Sequence, residues 1–248
     1  ELLTESTADL GLAAAVFVWI GLVLLLDRGA GHLQQAALGL ATWAFLLAAL
    51  RRESTLVRAQ VGIVVVFATA VEYTFSPLLE VYVYRLDNVP AFVPPGHGLV
   101  YLCALAFGRT RLVAAAMRPL LAVTVAAGGG YAGWGLFGSE RLDVLGAFWY
   151  ACLLGFLLWG PSRGLYVGAF LIVTYLEVLG TWLGTWEWQA YDPTGLVAIG
   201  NPPSGAAGGY GWFDLAALLA APALLRRTGH FARAARTSSC SSPLVETA

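Results

Sequence analysis

Two glutamates interrupt long apolar stretches of this sequence, at Glu72 and Glu177. A carboxylate at membrane depth costs at least about 2.5 kcal/mol unless it is paired, hydrated or protonated. A desolvated carboxyl tends to keep its proton near neutral pH, which is the state that a general acid needs. We therefore predict that both glutamates face the interior of a helix bundle as catalytic acid–base residues. The alternative is a protonated glutamate that only bonds a neighbouring helix.

His97 is the third candidate catalytic residue, because it follows a group of acids that includes Glu72, Glu80 and Asp87. It could act as a general base, as a metal ligand together with carboxylates, or as a hydrogen-bonding cap. No H-x-x-H or H-E-x-x-H pattern is present, so the sequence specifies no metal site. We predict no cofactor.

Two Pro-Pro pairs with nearby glycines open apolar runs, at residues 94–98 and 201–205. Consecutive prolines remove two backbone donors, so we expect an extended segment that breaks into a helix N-terminus. Free N–H groups at such an end suit an anionic or strongly polar ligand group, and an internally capped re-entrant turn is the alternative. The predicted substrate-binding residues are Glu80, Tyr82, Tyr84, Pro94, Pro95, Gly96, Trp186, Trp188, Asn201, Pro202, Pro203, Ser204 and Asp214.

Aromatic residues gather around these acids, and their role has two interpretations. Aromatic belts form at both membrane interfaces of any multispan protein. An aromatic cavity wall that stabilises a carbocation is the functional alternative. Asp214 is either a third acid of the cavity or an interfacial residue, and the interfacial interpretation is favoured. Glu80 is notable among the loop acids because its surroundings, residues 76–84, are otherwise apolar.

The composition of the chain predicts that these residues belong to a membrane protein. The chain has 248 residues, of which 58% are hydrophobic and 12% charged, and a mean hydropathy of +0.72. These values exclude most soluble classes, and a net charge of −1 indicates no nucleic-acid partner. We predict an all-α polytopic bundle of about eight spans, with the fourth and eighth the least certain. The expected spans are 10–26, 33–50, 59–75, 90–108, 119–138, 144–160, 164–184 and 206–225.

Arginine placement predicts the orientation of the chain. The sequence contains fourteen cationic residues and no lysine, which suggests a GC-rich bacterial genome such as that of an actinobacterium. With the N-terminus inside, eleven arginines fall on cytoplasmic segments and only Arg28, Arg85 and Arg141 fall outside. The positive-inside rule then predicts a plasma-membrane protein with both termini cytoplasmic.

The third and fourth spans resemble the seventh and eighth. Each pair carries a glutamate, then an aromatic-x-aromatic triplet at 82–84 or 186–188, then a Pro-Pro pair. We predict a four-plus-four duplication about an axis along the membrane normal, because four spans separate the copies. The expected units are a first repeat at 1–118, a second repeat at 119–227 and a disordered cytoplasmic tail at 228–248.

The Glu72 segment, with its Tyr-x-Tyr and Val-Pro, resembles integral-membrane carotenoid biosynthesis proteins that include carotenoid hydratases. The chain as a whole looks like an actinobacterial multispan membrane protein. The resemblance implies protonation of a terminal isoprenoid double bond, with Glu72 or Glu177 as the acid. We therefore expect an enzyme of the lyase, hydratase or isomerase type that acts on a lipophilic substrate from the bilayer. A proton-coupled transporter of a small solute and a non-catalytic assembly subunit are the alternatives, and the sequence does not specify an oligomeric state.

Overall fold

The fold is almost entirely helical. A computed structural model describes residues 2–239 of the chain, and 75% of the structure is helix. Within this range the strands are the short β1 and β2, and turns and loops connect the elements. In chain order the elements are α1 (Leu2–Asp27), α2 (His32–Leu50), α3 (Thr55–Tyr73), a π-helical turn (Thr74–Leu78), β1 (Tyr82–Tyr84), α4 (Val93–Gly108), α5 (Arg111–Ala115), α6 (Met117–Phe137), α7 (Val144–Trp159), α8 (Arg163–Leu183), β2 (Trp186–Trp188) and α9 (Ala206–Ser239).

Local signals set where several helices begin. The Ser54 hydroxyl accepts a hydrogen bond from the Val57 N–H at the start of α3, and the Asp143 carboxylate caps α7. At α4 the two prolines lie in the first helical turn, where their missing N–H groups have no helical partner in any case. The expectation of an extended segment at 94–98 is therefore wrong. The helix begins at Val93 and already includes His97.

Within the described residues, six segments are long and apolar enough to cross a membrane. They are Thr7–Asp27, His32–Leu50, Thr55–Leu78, Met117–Phe137, Arg163–Leu183 and Ala206–Arg227. The other two apolar helices, α4 and α7, have 16 residues each, just below the ~17–25 residues of a typical transmembrane helix. The sequence made the fourth and eighth spans the least certain. The eighth, Ala206–Arg227, is one of the six long segments, so the doubt about it is wrong. The fourth, α4, is short, as expected.

The C-terminal helix is longer than the sequence suggests. α9 continues through Ser239, so residues 228–239 are helical where a disordered tail was expected. The remainder of that expected tail, 240–248, lies outside the described residues.

The helices of the two sequence halves interleave at the centre of the bundle. α4 packs against α8, and α3 packs against α9. Glycines allow the α4–α8 backbones to approach closely, because Gly108 meets Gly164, and Gly168 meets Ala104. Such small-residue contacts are a usual way for membrane helices to associate.

The two strands form a small antiparallel ribbon over one end of the bundle, called the strand end below. Tyr82 lies opposite Trp188, and Tyr84 lies opposite Trp186. Since side chains alternate along a strand, these four rings share one face of the ribbon. All four are buried, whereas Glu187 on the other face of β2 is exposed.

We expect Gly168→Ala to destabilise the bundle. A Cβ at Gly168 would lie 2.5 Å from the Ala104 carbonyl oxygen, so α4 and α8 would have to separate. Overpacking of this kind costs about 1–3 kcal/mol. Thermal unfolding in detergent should show a lower midpoint for G168A. The matched control is Gly62→Ala in α3, where a Cβ meets nothing within 4 Å and helix propensity improves. Equal midpoints for the two variants would contradict the close crossing.

Candidate functional site

Glu72 lies in the last turns of α3, 6% exposed, and both of its carboxylate oxygens are bonded. The hydroxyls of Tyr82 and Tyr84 donate to Oε2 at 2.9 and 2.8 Å. His97 Nε2 lies 2.8 Å from Oε1. Three polar partners therefore compensate for the burial of this carboxyl group.

The chain turns back sharply after Glu72, which brings these partners over it. α3 continues into the π-helical turn that contains Pro77, and Glu80 then takes a left-handed conformation with φ 52°. β1 follows and returns toward the end of α3, so its two tyrosines reach the glutamate. Wide π-helical turns of this kind are frequent at functional sites.

Glu177 in α8 has a different set of donors. The indole N–H groups of Trp186 and Trp188 donate to its Oε2 at 3.1 and 3.2 Å. α8 ends at Gly184, whose φ of 73° is readily adopted only by glycine, and the chain reverses there into β2. The Trp186 ring then lies directly on Gly180, where a Cβ would find no room.

The strand ribbon joins the two glutamate sites. The Tyr82 and Trp188 rings lie 4.5 Å apart, and the Tyr84 and Trp186 rings 6.1 Å apart. Each opposed pair consists of one ring that bonds Glu72 and one that bonds Glu177. We call these four side chains the aromatic ceiling.

One cavity of about 280 Å³ lies below this ceiling, and both glutamates line it. His97 also lines it, and its ring stacks on Tyr210 at 5.1 Å and meets the edge of Phe213 at 5.7 Å. The rest of the wall is mostly apolar and comes from both halves of the chain. Further lining residues include Trp19, Phe67, Val71, Trp149, Leu176 and Trp212.

Eight of the predicted site residues line this cavity. They are Glu72, Glu177, His97, Tyr82, Tyr84, Gly96, Trp186 and Trp188.

The other predicted residues lie outside the lining. Glu80 is exposed in the turn before β1, and its apolar sequence neighbours do not bury it. Pro94 and Pro95 belong to the first turn of α4. The remaining ones are Asn201, Pro202, Pro203, Ser204 and Asp214.

The second Pro-Pro loop does not line the cavity but holds a strand that does. The Asn201 side-chain oxygen accepts the Trp188 N–H at 3.1 Å and thereby holds β2. The Asp143 carboxylate accepts the N–H groups of Gly200 at 2.9 Å and Ser204 at 2.7 Å. These donors were candidates for an anionic ligand, and a protein carboxylate already takes them. No local pattern marks Asp143 as a partner of this loop, because Gly200 and Ser204 lie 57 and 61 residues away along the chain.

Asp214 is 4% exposed, so the interfacial interpretation of this residue is wrong. It lies one helical turn beyond Tyr210 in α9 and does not line the cavity.

Some of the aromatic residues fit an interfacial belt, and others fit an aromatic cavity wall. Tyr73, Trp182 and Tyr191 are more than half exposed, as an interfacial belt requires. The four rings of the aromatic ceiling are buried, and their polar atoms bond the glutamates. Sequence position alone does not separate the two groups, because both occur in the same segments.

Two arginines connect the strands β1 and β2 to neighbouring turns. Arg85, just after β1, donates to the backbone oxygens of Asp27 and Ala30 in the α1–α2 turn. Arg141, in the α6–α7 turn, donates to the Trp188 backbone oxygen and to that of Ile199. Both of these arginines were counted against the predicted orientation, and both have a structural role here.

The surroundings of His97 decide between its possible roles. Among the side chains that the structure describes in residues 7–227, no group of three or more histidine, cysteine, aspartate or glutamate residues is placed to hold an ion. His97 instead contacts one carboxylate and two aromatic rings.

We expect the stability of the protein to fall above about pH 10, where ordinary tyrosines ionise. Burial, and then the Glu72 charge, raise the pKa of Tyr82 and Tyr84 well above the usual value in the folded state. Their contribution is therefore complete below about pH 10 and is lost as the unfolded chain ionises at higher pH. Unfolding midpoints from about pH 8 to about pH 11 should decline less steeply in the Tyr82→Phe/Tyr84→Phe variant than in the native protein. Identical pH profiles would contradict the burial of these hydroxyls.

Comparison with known proteins identifies no relative of this chain. It matches no protein-family model, no curated protein and no solved structure. The function must therefore be argued from the chemistry of the cavity itself.

Proposed function

We propose that the protein is a membrane enzyme that performs acid–base chemistry on the end of an isoprenoid-like chain. The observation that carries this proposal is the pair of buried carboxyl groups, Glu72 and Glu177, on one mostly apolar cavity. An apolar wall suits a hydrocarbon, and ionisable residues within membrane segments usually have a function. Lipid substrates enter such a cavity from the bilayer.

The two glutamates have different surroundings, which suits different roles. Glu72 bonds His97, whereas no cationic group bonds Glu177 among the described residues. An uncompensated charge is costly at membrane depth, so we assign the transferable proton to Glu177. Glu72 and His97 then form the basic pair. Carboxyl groups that are held in different environments commonly divide the acid and base roles in this way.

The proposed reaction is the addition of water to a terminal double bond. Glu177 gives its proton to one alkene carbon, so that a C–H bond forms and the other carbon becomes a tertiary cation. Faces of the surrounding aromatic rings stabilise such a cation. Water then forms the C–O bond and releases a proton to Glu72. Return of that proton to Glu177 completes the cycle, and the net change is alkene plus water to alcohol.

The size of the cavity limits the part of the substrate that it holds. A volume of about 280 Å³ is just below the range of ligand pockets, which span ~300–1,000 Å³. We propose that only the chain end enters and that the rest of the substrate remains in the bilayer. Phe67, Phe75 and Trp212 line the cavity and are also 37–50% exposed, so they mark where the chain would leave.

We further propose that the site arose by duplication. Tyr82 lies opposite Trp188 and Tyr84 opposite Trp186, a pairing that exchanges the two triplets about an approximate two-fold axis. The pairing of α3 with α9 and of α4 with α8 follows the same exchange. An axis along the membrane normal suits two parallel four-span halves, with eight spans and both termini in the cytoplasm.

Replacement of either glutamate should abolish product formation. Membranes that contain the full-length protein would be incubated with lycopene, an acyclic carotenoid, in ¹⁸O-labelled water, and products would be separated by mass. The Glu72→Gln and Glu177→Gln variants should each lose about a hundredfold or more of the rate, because general acid–base catalysis contributes ~10²–10⁴-fold. The matched control is Glu187→Gln, an exposed carboxylate on the outer face of β2.

The labelled alcohol should form with the native protein and with the control at similar rates. Full activity of both glutamine variants at normal expression would refute the acid–base role. Absence of any product from lycopene with native protein would refute this substrate class.

Cysteine labelling tests the proposed orientation. Glu187→Cys, at the strand end, should react with a membrane-impermeant maleimide in intact cells. Arg51→Cys, in the exposed α2–α3 turn, should react only after the membrane is permeabilised. The positive-inside asymmetry gives this expectation. The reverse pattern would place the cavity near the cytoplasmic face.

Proton-coupled transport is the second candidate, because the cavity lies between the two halves of the chain, as binding sites do in repeat-built transporters. Solute uptake into proteoliposomes that responds to an imposed pH gradient, and is lost in Glu72→Gln, would favour this function over the enzyme.

A further inference from the structure

A second group of polar side chains lies in the helical core outside the cavity lining. Tyr101 of α4, Tyr166 of α8 and Asp214 of α9 are 1%, 0% and 4% exposed. α8 packs against both α4 and α9, so the three helices that carry these side chains are neighbours in the core. Among the described residues, Asp214 Oδ2 and the two phenolic oxygens have no hydrogen-bond partner. Unpartnered polar atoms are costly in a core that has only a packing role.

This cluster lies one helical turn from the cavity. Tyr101 follows His97 by four residues in α4, and Asp214 follows Tyr210 by four residues in α9. Four residues rise about 6 Å and return to the same helix face. The His97 and Tyr210 rings are stacked, so both helices present their next polar group at a similar depth.

Tyr166 extends the cluster toward the end of the bundle opposite the strands. It lies in the first turn of α8, and its ring packs on Gly160 in the α7–α8 turn. α7 begins at the strand end, where Asp143 bonds Ser204, so this turn lies at the opposite end. The polar groups thus extend from that end toward His97.

His97, one helical turn from Tyr101, has a second ring nitrogen that is available for a proton. Its Nε2 faces Glu72, and its Nδ1 is buried without a partner in the described part of the chain. On the other side of the cavity, the aromatic ceiling is buried and its hydroxyl and indole groups already bond the glutamates. Unbonded polar groups that could carry a proton between Glu72 and bulk water therefore lie on the side of the cluster and not on the side of the aromatic ceiling.

We propose that Tyr166, Asp214 and Tyr101 form a proton pathway that connects the membrane face at the α7–α8 turn with His97 and Glu72. Bridging water and hydroxyl rotation join the groups. A proton that arrives at His97 Nδ1 is balanced by the proton that leaves Nε2 for Glu72 Oε1, so each step breaks one N–H or O–H bond and forms another. The role of the pathway rests on the proposed acid–base function of Glu72, but its existence does not require a substrate.

Solvent exchange of the His97 ring proton tests the pathway directly. Full-length protein in nanodiscs would carry ¹⁵N-histidine, with His32→Asn and His230→Asn leaving His97 as the single signal. NMR would measure exchange of the ring N–H with water. Asp214→Asn should slow exchange by about tenfold or more, which corresponds to an added barrier of ~1.4 kcal/mol. Asp214→Glu, which keeps the carboxyl group, should retain most of the rate.

Two further variants and a control keep the test decisive. Tyr101→Phe and Tyr166→Phe remove only hydroxyl groups and should also slow exchange, so they decide the result if Asp214→Asn fails to fold. Thr124→Val, at a buried hydroxyl of α6 outside the cluster, should not change it. Native exchange rates in folded Asp214→Asn and in both phenylalanine variants would overturn the pathway. Because no substrate is present, this outcome is distinct from a failure of lycopene hydration.

Discussion

The two buried carboxyl groups depend on four hydrogen-bond donors that a single strand pair supplies. A carboxyl group in an apolar helix bundle is unfavourable unless donors reach it, and the nearby helix backbone has no free N–H to give. A strand places every second side chain on one face, so each triplet aims two donors at one glutamate and turns its middle residue away. Pairing the triplets then places both glutamates on one cavity.

The two halves of this arrangement differ in the donors that they use. Glu72 receives tyrosine hydroxyls, which can both donate and accept, and it also bonds a histidine. Glu177 receives indole N–H groups, which can only donate. The Glu72 side can therefore participate in proton exchange with its partners, whereas the tryptophans can only hold Glu177 in place. This difference is the physical basis for assigning distinct roles to two similarly placed residues.

Features that depend on short stretches of sequence were predictable. The apolar helices, the buried glutamates and the aromatic triplets each follow from residue types within a few turns. Asp143 was missed because its role depends on a loop far along the chain. Asp214 was misplaced because an aspartate near aromatic residues has the same local pattern at an interface and in a core. The Pro-Pro pair at α4 was misjudged because prolines within the first helical turn are compatible with helix geometry.

The packing of α4 against α8 sets the position of two walls of the cavity. Their glycine contacts, Gly108 with Gly164 and Ala104 with Gly168, both lie toward the end opposite the strands. At the strand end of the bundle, α4 and α8 carry His97 and Glu177, which both line the cavity. The space between them there is part of the cavity. A larger side chain at the crossing would shift both walls of the site together, so the small residues matter to its chemistry although none of them touches it.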